Sequence, residues 1–180
     1  MRVLVQVLKK IYQDYAIIYP PAEKEEIQLV IGTLIHENAG FLPSDYREFL
    51  CLTDGLFWNG IEFFSTREHE RDNGAFTHRA ILAMQAAFYA NQNLKGKIIL
   101  GLAPEEIIAY DSKRREYQLI DRYSYTIFVK FPSLADVLYF FDFYFKKFLS
   151  FSNNFFIDTY KFMHFLKINF NTLKKKDYFK

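Results

Sequence analysis

Residue types that could do chemistry are few in this 180-residue sequence, and the densest group of them is Glu68–Glu70, with His69 at its centre and Asp72 and His78 close by. Imidazoles and carboxylates are the usual ligands of divalent metals and the usual general acids and bases of enzymes. Their spacing here matches no recognised metal-binding or catalytic motif. We therefore predict a solvated, charged loop over residues 66–75, with no metal site and no catalytic residue.

The single cysteine, Cys51, excludes an internal disulfide and any Cys-x-x-Cys site. It stands between Leu50 and Leu52 beside the apolar face of a predicted helix, whereas a reactive thiol needs an exposed, electropositive environment. We predict a buried thiol without a catalytic function. The seven glycines are scattered and form no phosphate-binding loop, so no cofactor is predicted.

Three further carboxylates, Glu105, Glu106 and Asp111, bracket a short predicted strand. We interpret them as acids of surface turns, and the basic run 113–115 as the solvated tip of a hairpin. Since no catalytic constellation is assembled, the residues alone favour a binding module over an enzyme.

The elements that must position these residues are helices that flank a series of short strands. Helical spacing predicts helices over residues 3–15, 22–38 and 76–91, with Phe76 facing inward, a short helix from Pro43 that Gly55 caps, and another that begins at Ser133. Alternating valines also permit a strand in the first segment, and we favour the helix. Strands are predicted at Ile61–Ser65, Lys97–Leu102, Ile107–Asp111, Tyr117–Arg122 and Tyr125–Lys130. Consecutive strands flanked by helices indicate an α+β fold with a mainly antiparallel sheet.

Phenylalanine is unevenly distributed, with nine of 21 residues in 1–138 and twelve in 139–180. Net charge divides at the same place, at −3 for the first segment and +5 for the second. The overall charge of +2 argues against a dedicated nucleic-acid binder. No uncharged apolar run approaches the roughly 18 residues of a membrane span, so we predict a soluble cytoplasmic protein.

One stretch carries a recognisable pattern, an apolar residue and Pro, then Tyr, Phe-Leu and Asp-Gly at fixed spacing. A strand that ends in Leu-Gly and a closing helix follow it in order. The matching residues are Leu42, Pro43, Tyr46, Phe49, Leu50, Asp54, Gly55, Leu100, Gly101 and Leu134. Over residues 22–145 the sequence resembles the SUKH superfamily, which includes bacterial immunity proteins and fungal regulators of cell-wall synthesis.

The resemblance implies a domain over residues 1–145, with a twisted, mainly antiparallel sheet backed by helices, in which the ten matching residues are structural. It also implies a protein without catalytic residues, because bacterial members bind and neutralise toxins, often nucleases, by occluding them. Two alternatives stay open: a regulatory or scaffolding module like the fungal relatives, and an enzyme that acts through the loop between Glu68 and His78.

The residues selected as a partner-binding surface are acids and aromatics that we expect to be exposed: Trp58, Asn59, Glu62, Glu68, Glu70 and Asp72. Acidic side chains would complement a basic nuclease cleft and speed association. The alternative is that Trp58 belongs to the core and that the acids are ordinary surface residues.

Residues 146–180 have no counterpart in the family pattern and are predicted to form an aromatic, basic, helical extension, with a helix over 153–173. It would pack on the domain or on a partner, and an exposed patch of this kind would favour self-association. An altered reading frame in A/T-rich DNA would also explain its composition.

Overall fold

The α+β class is confirmed by a computed structural model, which describes residues 2–13, 16–71 and 73–152 of the chain. Its helices are α1 (Arg2–Gln13), α2 (Lys24–His36), α3 (Ser44–Leu50), α4 (Ile81–Phe88) and α5 (Leu134–Ser152). Its strands are β1 (Ile17–Ile18), β2 (Leu56–Trp58), β3 (Ile61–Phe63), β4 (His69–Arg71), β5 (Phe76–His78), β6 (Lys97–Leu102), β7 (Glu106–Asp111), β8 (Glu116–Asp121) and β9 (Ile127–Phe131). By compactness the chain divides into two units, Met1–Asp136 and Val137–Lys180, whereas a boundary at residue 145 stays a prediction.

Helix α2 forms where the sequence predicts it, because both its start and its buried face are encoded locally. The backbone N–H of Glu23 donates to Oε2 of Glu26 at 3.0 Å in a capping box that closes the first turn. Its buried face consists of Ile27, Val30 and Leu34, which are spaced at helical intervals. The predicted first helix is likewise confirmed as α1.

Seven strands form one antiparallel sheet in the order β1-β2-β3-β6-β7-β8-β9. Neighbouring residues of β6 point to opposite faces, and both Ile98 and Ile99 are buried, so the centre of the sheet is covered on each side. Gln85 of α4 hydrogen-bonds to the backbone of β6 in the segment that does not pair with β3. Its amide nitrogen donates to the Lys97 carbonyl at 3.1 Å, and its oxygen accepts the Ile99 N–H at 3.0 Å.

The hairpin between β7 and β8 confirms the predicted turn, but its first residue is not a surface acid. Asp111 is only 8 % exposed, and its Oδ1 accepts the backbone N–H groups of Lys113 and Arg114 at 3.1 Å each. Burial alone would raise the pKa of Asp111, but the Arg114 N–H and the Lys97 ammonium lower it below its ordinary value. The expectation of an exposed carboxylate is therefore wrong, because this side chain organises the turn.

The hairpin between β2 and β3 has a two-residue loop, Asn59-Gly60, in which both residues have positive φ, 49° and 81°. This is the geometry of a type I′ turn, for which Asn-Gly is the preferred sequence. The following contact with β6 depends on Gly101, since a Cβ at that position would overlap the carbonyl oxygen of Glu62. Gly101 therefore lets two strands approach each other closely.

The solvated loop predicted over residues 66–75 is wrong in part, because β4 and β5 pair as a second, two-stranded sheet, with His69 opposite His78. The helix predicted over residues 76–91 begins only at Ile81, since Ala80 is extended and forms a bridge with Ser65. Phe76 does not face inward and is 61 % exposed. Strand pairing across the hairpin thus overrides the helical pattern.

Helix α3 buries Tyr46, Phe49 and Leu50, as its spacing predicts. Two expectations about the residues after it are wrong. Cys51 is exposed, because it caps the helix on the side away from these three residues. Gly55 has a φ of +99° but stands four residues beyond that cap, immediately before β2.

Helix α5 begins at the predicted cap. The Ser133 hydroxyl donates to Oδ2 of Asp136 at 2.6 Å, and its oxygen accepts the Asp136 backbone N–H at 3.2 Å. In the part of the chain that the structure describes, no helix is both long and apolar enough to cross a membrane. The helix predicted over residues 153–173 lies outside the described residues.

Candidate functional site

Asp54 is the centre of the main buried polar cluster. Its carboxylate is 1 % exposed and has donors on both oxygens, the Thr66 backbone N–H on Oδ1 at 2.7 Å and the Thr66 hydroxyl on Oδ2 at 3.0 Å. Nε2 of His69 lies 2.8 Å from the same Oδ2. A buried carboxylate needs such partners to offset its lost hydration. Asp54 therefore ties the segment after α3 to the turn before β4.

Tyr19 holds the two histidines of the β4–β5 hairpin against the main sheet. Its ring stacks on that of His69, with centroids 4.3 Å apart and planes 13° from parallel, and it lies 4.7 Å from the ring of His78. Because paired residues of a hairpin share one face, His69 and His78 form its inner surface. The hairpin is thus attached by stacking and by the Asp54 contact.

His78 is buried, and the groups around it determine its protonation state. Its Nε2 lies 3.1 Å from the Phe63 carbonyl, which can only accept, so this nitrogen carries the hydrogen of the neutral ring. Its Nδ1 faces Oε1 of Glu62 at 3.4 Å. Burial lowers the pKa of His78 from 6.5 to about 4, and the Glu62 carboxylate opposes that shift without cancelling it.

Glu62 is held by Arg79 rather than by solvent. The Arg79 backbone N–H donates to Oε1 at 2.8 Å, its Nε donates to Oε2 at 2.7 Å, and its Nη2 makes a third contact. Glu62 is 4 % exposed as a result. The guanidinium also lies over the Phe64 ring, 5.6 Å from its centroid.

Gly55 is the residue that allows this cluster to close. Its φ of +99° is unfavourable for other residues, and a Cβ there would overlap Nε2 of His78. The Asp54-Gly55 pair therefore has a physical function in this chain. The aspartate binds one histidine of the hairpin, and the glycine leaves room for the other.

The chemistry available to this cluster is limited, since an Asp–His pair needs a nucleophile or a metal beside it. Two hydroxyls of the adjoining segment are engaged, that of Ser65 with the Arg79 carbonyl at 3.0 Å and that of Thr66 with Asp54. Within the described residues no group of three or more His, Cys, Asp or Glu could hold a metal ion. The arrangement is suited to attaching a hairpin.

The ten family-like residues are all buried: Leu42, Pro43, Tyr46, Phe49, Leu50, Asp54, Gly55, Leu100, Gly101 and Leu134. Their contacts join separate elements. The Tyr46 hydroxyl lies 2.7 Å from the Phe64 carbonyl and 2.9 Å from that of Leu100, while Asp45 accepts the Leu134 N–H at 2.7 Å. Burial raises the pKa of Tyr46 well above its ordinary value. Such contacts are what a structural function requires.

The residues selected as a partner-binding surface are separated by the structure. Trp58 and Glu62 are only 2 % and 4 % exposed, so the expectation that they are exposed is wrong. Trp58 belongs to the buried core, and Glu62 forms an ion pair with Arg79. Asn59 is exposed at the β2–β3 turn.

The remaining acids follow the end of β3 that is opposite to Asn59. Glu68 and Glu70 are exposed beside and within β4, which follows the opposite end of β3 from Asn59, and Asp72 lies outside the described residues. These acids and Asn59 therefore do not form one surface.

Three turns at one end of the main sheet form a surface of which sequence reasoning selected only Asn59. We name this surface the turn end: residues 59–60, 103–105 and 122–126. They are contiguous, because a Cβ on Gly60 would contact Pro104 at 3.6 Å and the Arg122 N–H donates to the Glu105 carbonyl at 2.9 Å. Tyr123 projects from the turn end and is 79 % exposed. The signal in the sequence is the tyrosine- and serine-rich run between two strands.

Glu106 begins β7 directly below the turn end and is not the surface acid that the sequence suggests. It is 6 % exposed and pairs with Asp121 in the register of the sheet. Burial raises the pKa of Glu106 from 4.5 to about 7, and the carboxylates of Glu105 and Asp121 add to that increase.

No protein-family model matches the chain, and no curated protein is significantly similar to it.

Proposed function

We propose that this protein is a binding module without catalytic activity, a bacterial immunity protein that neutralises a toxin domain by direct, stoichiometric binding. The observation that carries the proposal is that side chains able to do chemistry are bound by other residues of the same chain. His69 is bound by Asp54 at 2.8 Å, and Glu62 is bound by Arg79. Because these side chains hold the fold together, we expect the protein to act through its surface.

The family-like pattern supports this proposal in a second way. Its residues form buried contacts between α3, the sheet and the start of α5. Partner recognition would then depend on exposed side chains, which are distinct from the buried residues of the pattern. The slight acidity of residues 1–138, at −3, favours a partner with a basic surface such as a nuclease.

The test is a titration, with the purified full chain, of the toxin domain that the proposal expects a neighbouring gene to encode. Binding predicts a linear loss of toxin activity that ends at one chain per toxin, together with a complex of that stoichiometry by light scattering. Production of both proteins in one bacterial host is expected to restore growth.

Two results would contradict the proposal. Complete inactivation at a small fraction of one chain per toxin would indicate catalysis, and absence of any binding or protection would remove the immunity function. A matched control is Gly55→Val, which would force a side chain into His78 and is expected to abolish protection through loss of the folded state.

A further inference from the structure

The turn end combines exposure with rigidity. Oδ1 of Asp121 accepts the Tyr123 N–H at 3.0 Å, the Ser124 N–H at 2.6 Å and the Ser124 hydroxyl at 2.9 Å. The Tyr125 N–H donates to the Asp121 carbonyl at 3.0 Å. Four hydrogen bonds to one residue hold a five-residue turn in place, so its side chains are presented without a large entropic cost on binding.

The neighbouring turns brace this one. Nη1 of Arg122 lies 3.4 Å from the Pro104 carbonyl, and the Arg122 N–H bonds to Glu105. The loop of Asn59 is a two-residue type I′ turn on the next hairpin along the sheet. Hydrogen bonds between the turns therefore hold this surface together at the ends of the strands.

Its composition is that of a protein-recognition surface. Tyrosine and arginine dominate the binding energy of protein interfaces, and tyrosine, serine and asparagine are enriched in antibody loops. The exposed side chains here are Asn59, Pro104, Arg122, Tyr123, Ser124 and Thr126. Tyrosine supplies a large contact area with only two side-chain torsions, which suits a tightly held turn.

The charge of this surface indicates the charge of the partner that it would bind. Carboxylates of Glu105 and Asp121 lie in or below the turns, with Arg122 as the cation of the described residues there. A polyanion such as RNA would be repelled, whereas a basic protein surface would be attracted.

We propose that the turn end is the surface through which this chain binds its toxin, with Tyr123 as the central contact and a basic face of the toxin as the occupant. This inference rests on the proposed immunity function. It moves the binding surface from the β4 acids, which the sequence favours, to the opposite end of β3.

The experiment measures the Kd between the full chain and the toxin domain encoded beside its gene, by calorimetry, for wild type, Tyr123→Ala and a control. Tyr123→Ala is expected to weaken binding at least about 30-fold, the effect of removing an interface hot spot. The control, Tyr89→Ala, removes a tyrosine that is 74 % exposed. Tyr89 lies one helical turn beyond Gln85, which bonds to Lys97 at the other end of β6, so binding is expected to be unchanged.

A second variant tests the charge of the partner. Glu105→Gln is expected to slow association several-fold at low salt and to weaken the dependence of that rate on ionic strength. Equal melting temperatures for the variants and the wild type would show that the fold is intact.

The outcomes separate the two proposals. If the wild-type chain binds the toxin and Tyr123→Ala binds equally well, the turn end is not the interface, while the immunity function stands. If the wild-type chain does not bind at all, both proposals are overturned.

Discussion

The carboxylate of Glu106 is expected to make the protein less stable as the pH rises, the reverse of the effect of most acids. The pKa of Glu106 is about 7 in the folded chain against an ordinary 4.5, so between these values the folded state holds a proton that the unfolded state has lost. The shift corresponds to about 3 kcal/mol of unfolding free energy at about 1.4 kcal/mol per pKa unit. This stability is fully present below pH 4.5 and is lost as the pH rises through 7.

His78 acts in the opposite direction over nearly the same interval. Its pKa of about 4 in the folded state lies below the ordinary 6.5, so the unfolded chain binds the extra proton and stability falls as the pH drops from 6.5 to 4. The two effects are similar in size and opposite in sign between pH 4.5 and 6.5. We therefore expect the wild-type chain to show little pH dependence from these groups in that window.

The variant Glu106→Gln removes one of the two opposing groups. Relative to the wild type, its unfolding free energy is expected to increase by about 3 kcal/mol between pH 4.5 and 7.5. The converse variant, His78→Gln, keeps an N–H donor for the Phe63 carbonyl and leaves Glu106 unopposed. Its stability is expected to fall by a similar amount over the same range.

Urea unfolding, followed by the fluorescence of the one tryptophan, Trp58, measures these changes, because that side chain is 2 % exposed in the folded state. Glu70→Gln removes an exposed carboxylate and is expected to leave the pH profile parallel to that of the wild type. A constant difference between Glu106→Gln and the wild type across pH 4.5–7.5 would refute the assignment of a proton to buried Glu106.

Three further substitutions test single contacts by chemical denaturation, and a fourth, Gly74→Ala, serves as a control. Gly55→Ala is expected to cost more than about 2 kcal/mol, since it strains a positive φ and overlaps His78, whereas Gly74→Ala, with φ of +85° and open space around it, should cost less and separates the two effects. Tyr46→Phe is expected to cost about 1–3 kcal/mol, because it removes a buried hydroxyl from two carbonyls. Ser133→Ala should cost about 1 kcal/mol through the lost cap of α5, and an unchanged unfolding midpoint would contradict the capping geometry.

The sequence patterns predicted correctly those helices and strands that are determined by residues close together in the chain. Helix α2 has its capping box and its buried stripe within one run of residues, and β7 and β8 are joined by a short hairpin. The sequence therefore predicted both, and it predicted the α+β class from their order. Helix α4 was placed too early because Phe76 and Ala80 continue a helical spacing that the pairing of β5 with β4 overrides.

The candidate sites depended on partners distant in sequence, which a pattern of residue types does not reveal. Glu62 looked like a free acid because Arg79, its partner, lies 17 residues further along the chain. Asp54 and His69 are 15 residues apart and meet only when the hairpin folds back. Glu106 looked like a turn acid, and only the covering of β7 on both faces buries it.

The separation of these two regions would let the fold keep its stability while the proposed binding surface changes. Under the β4–β5 hairpin, changes of Asp54 and Gly55 are expected to be costly, since a different side chain would lose the His69 contact or enter the volume of His78. At the turn end, the position of Tyr123 is fixed by its backbone N–H on Asp121, and its side chain is 79 % exposed. Under our proposal, replacing that side chain would alter what the surface recognises and leave the turn in place. The immunity function that we propose would need that independence, because a new toxin would have to be matched without rebuilding the core that presents the match.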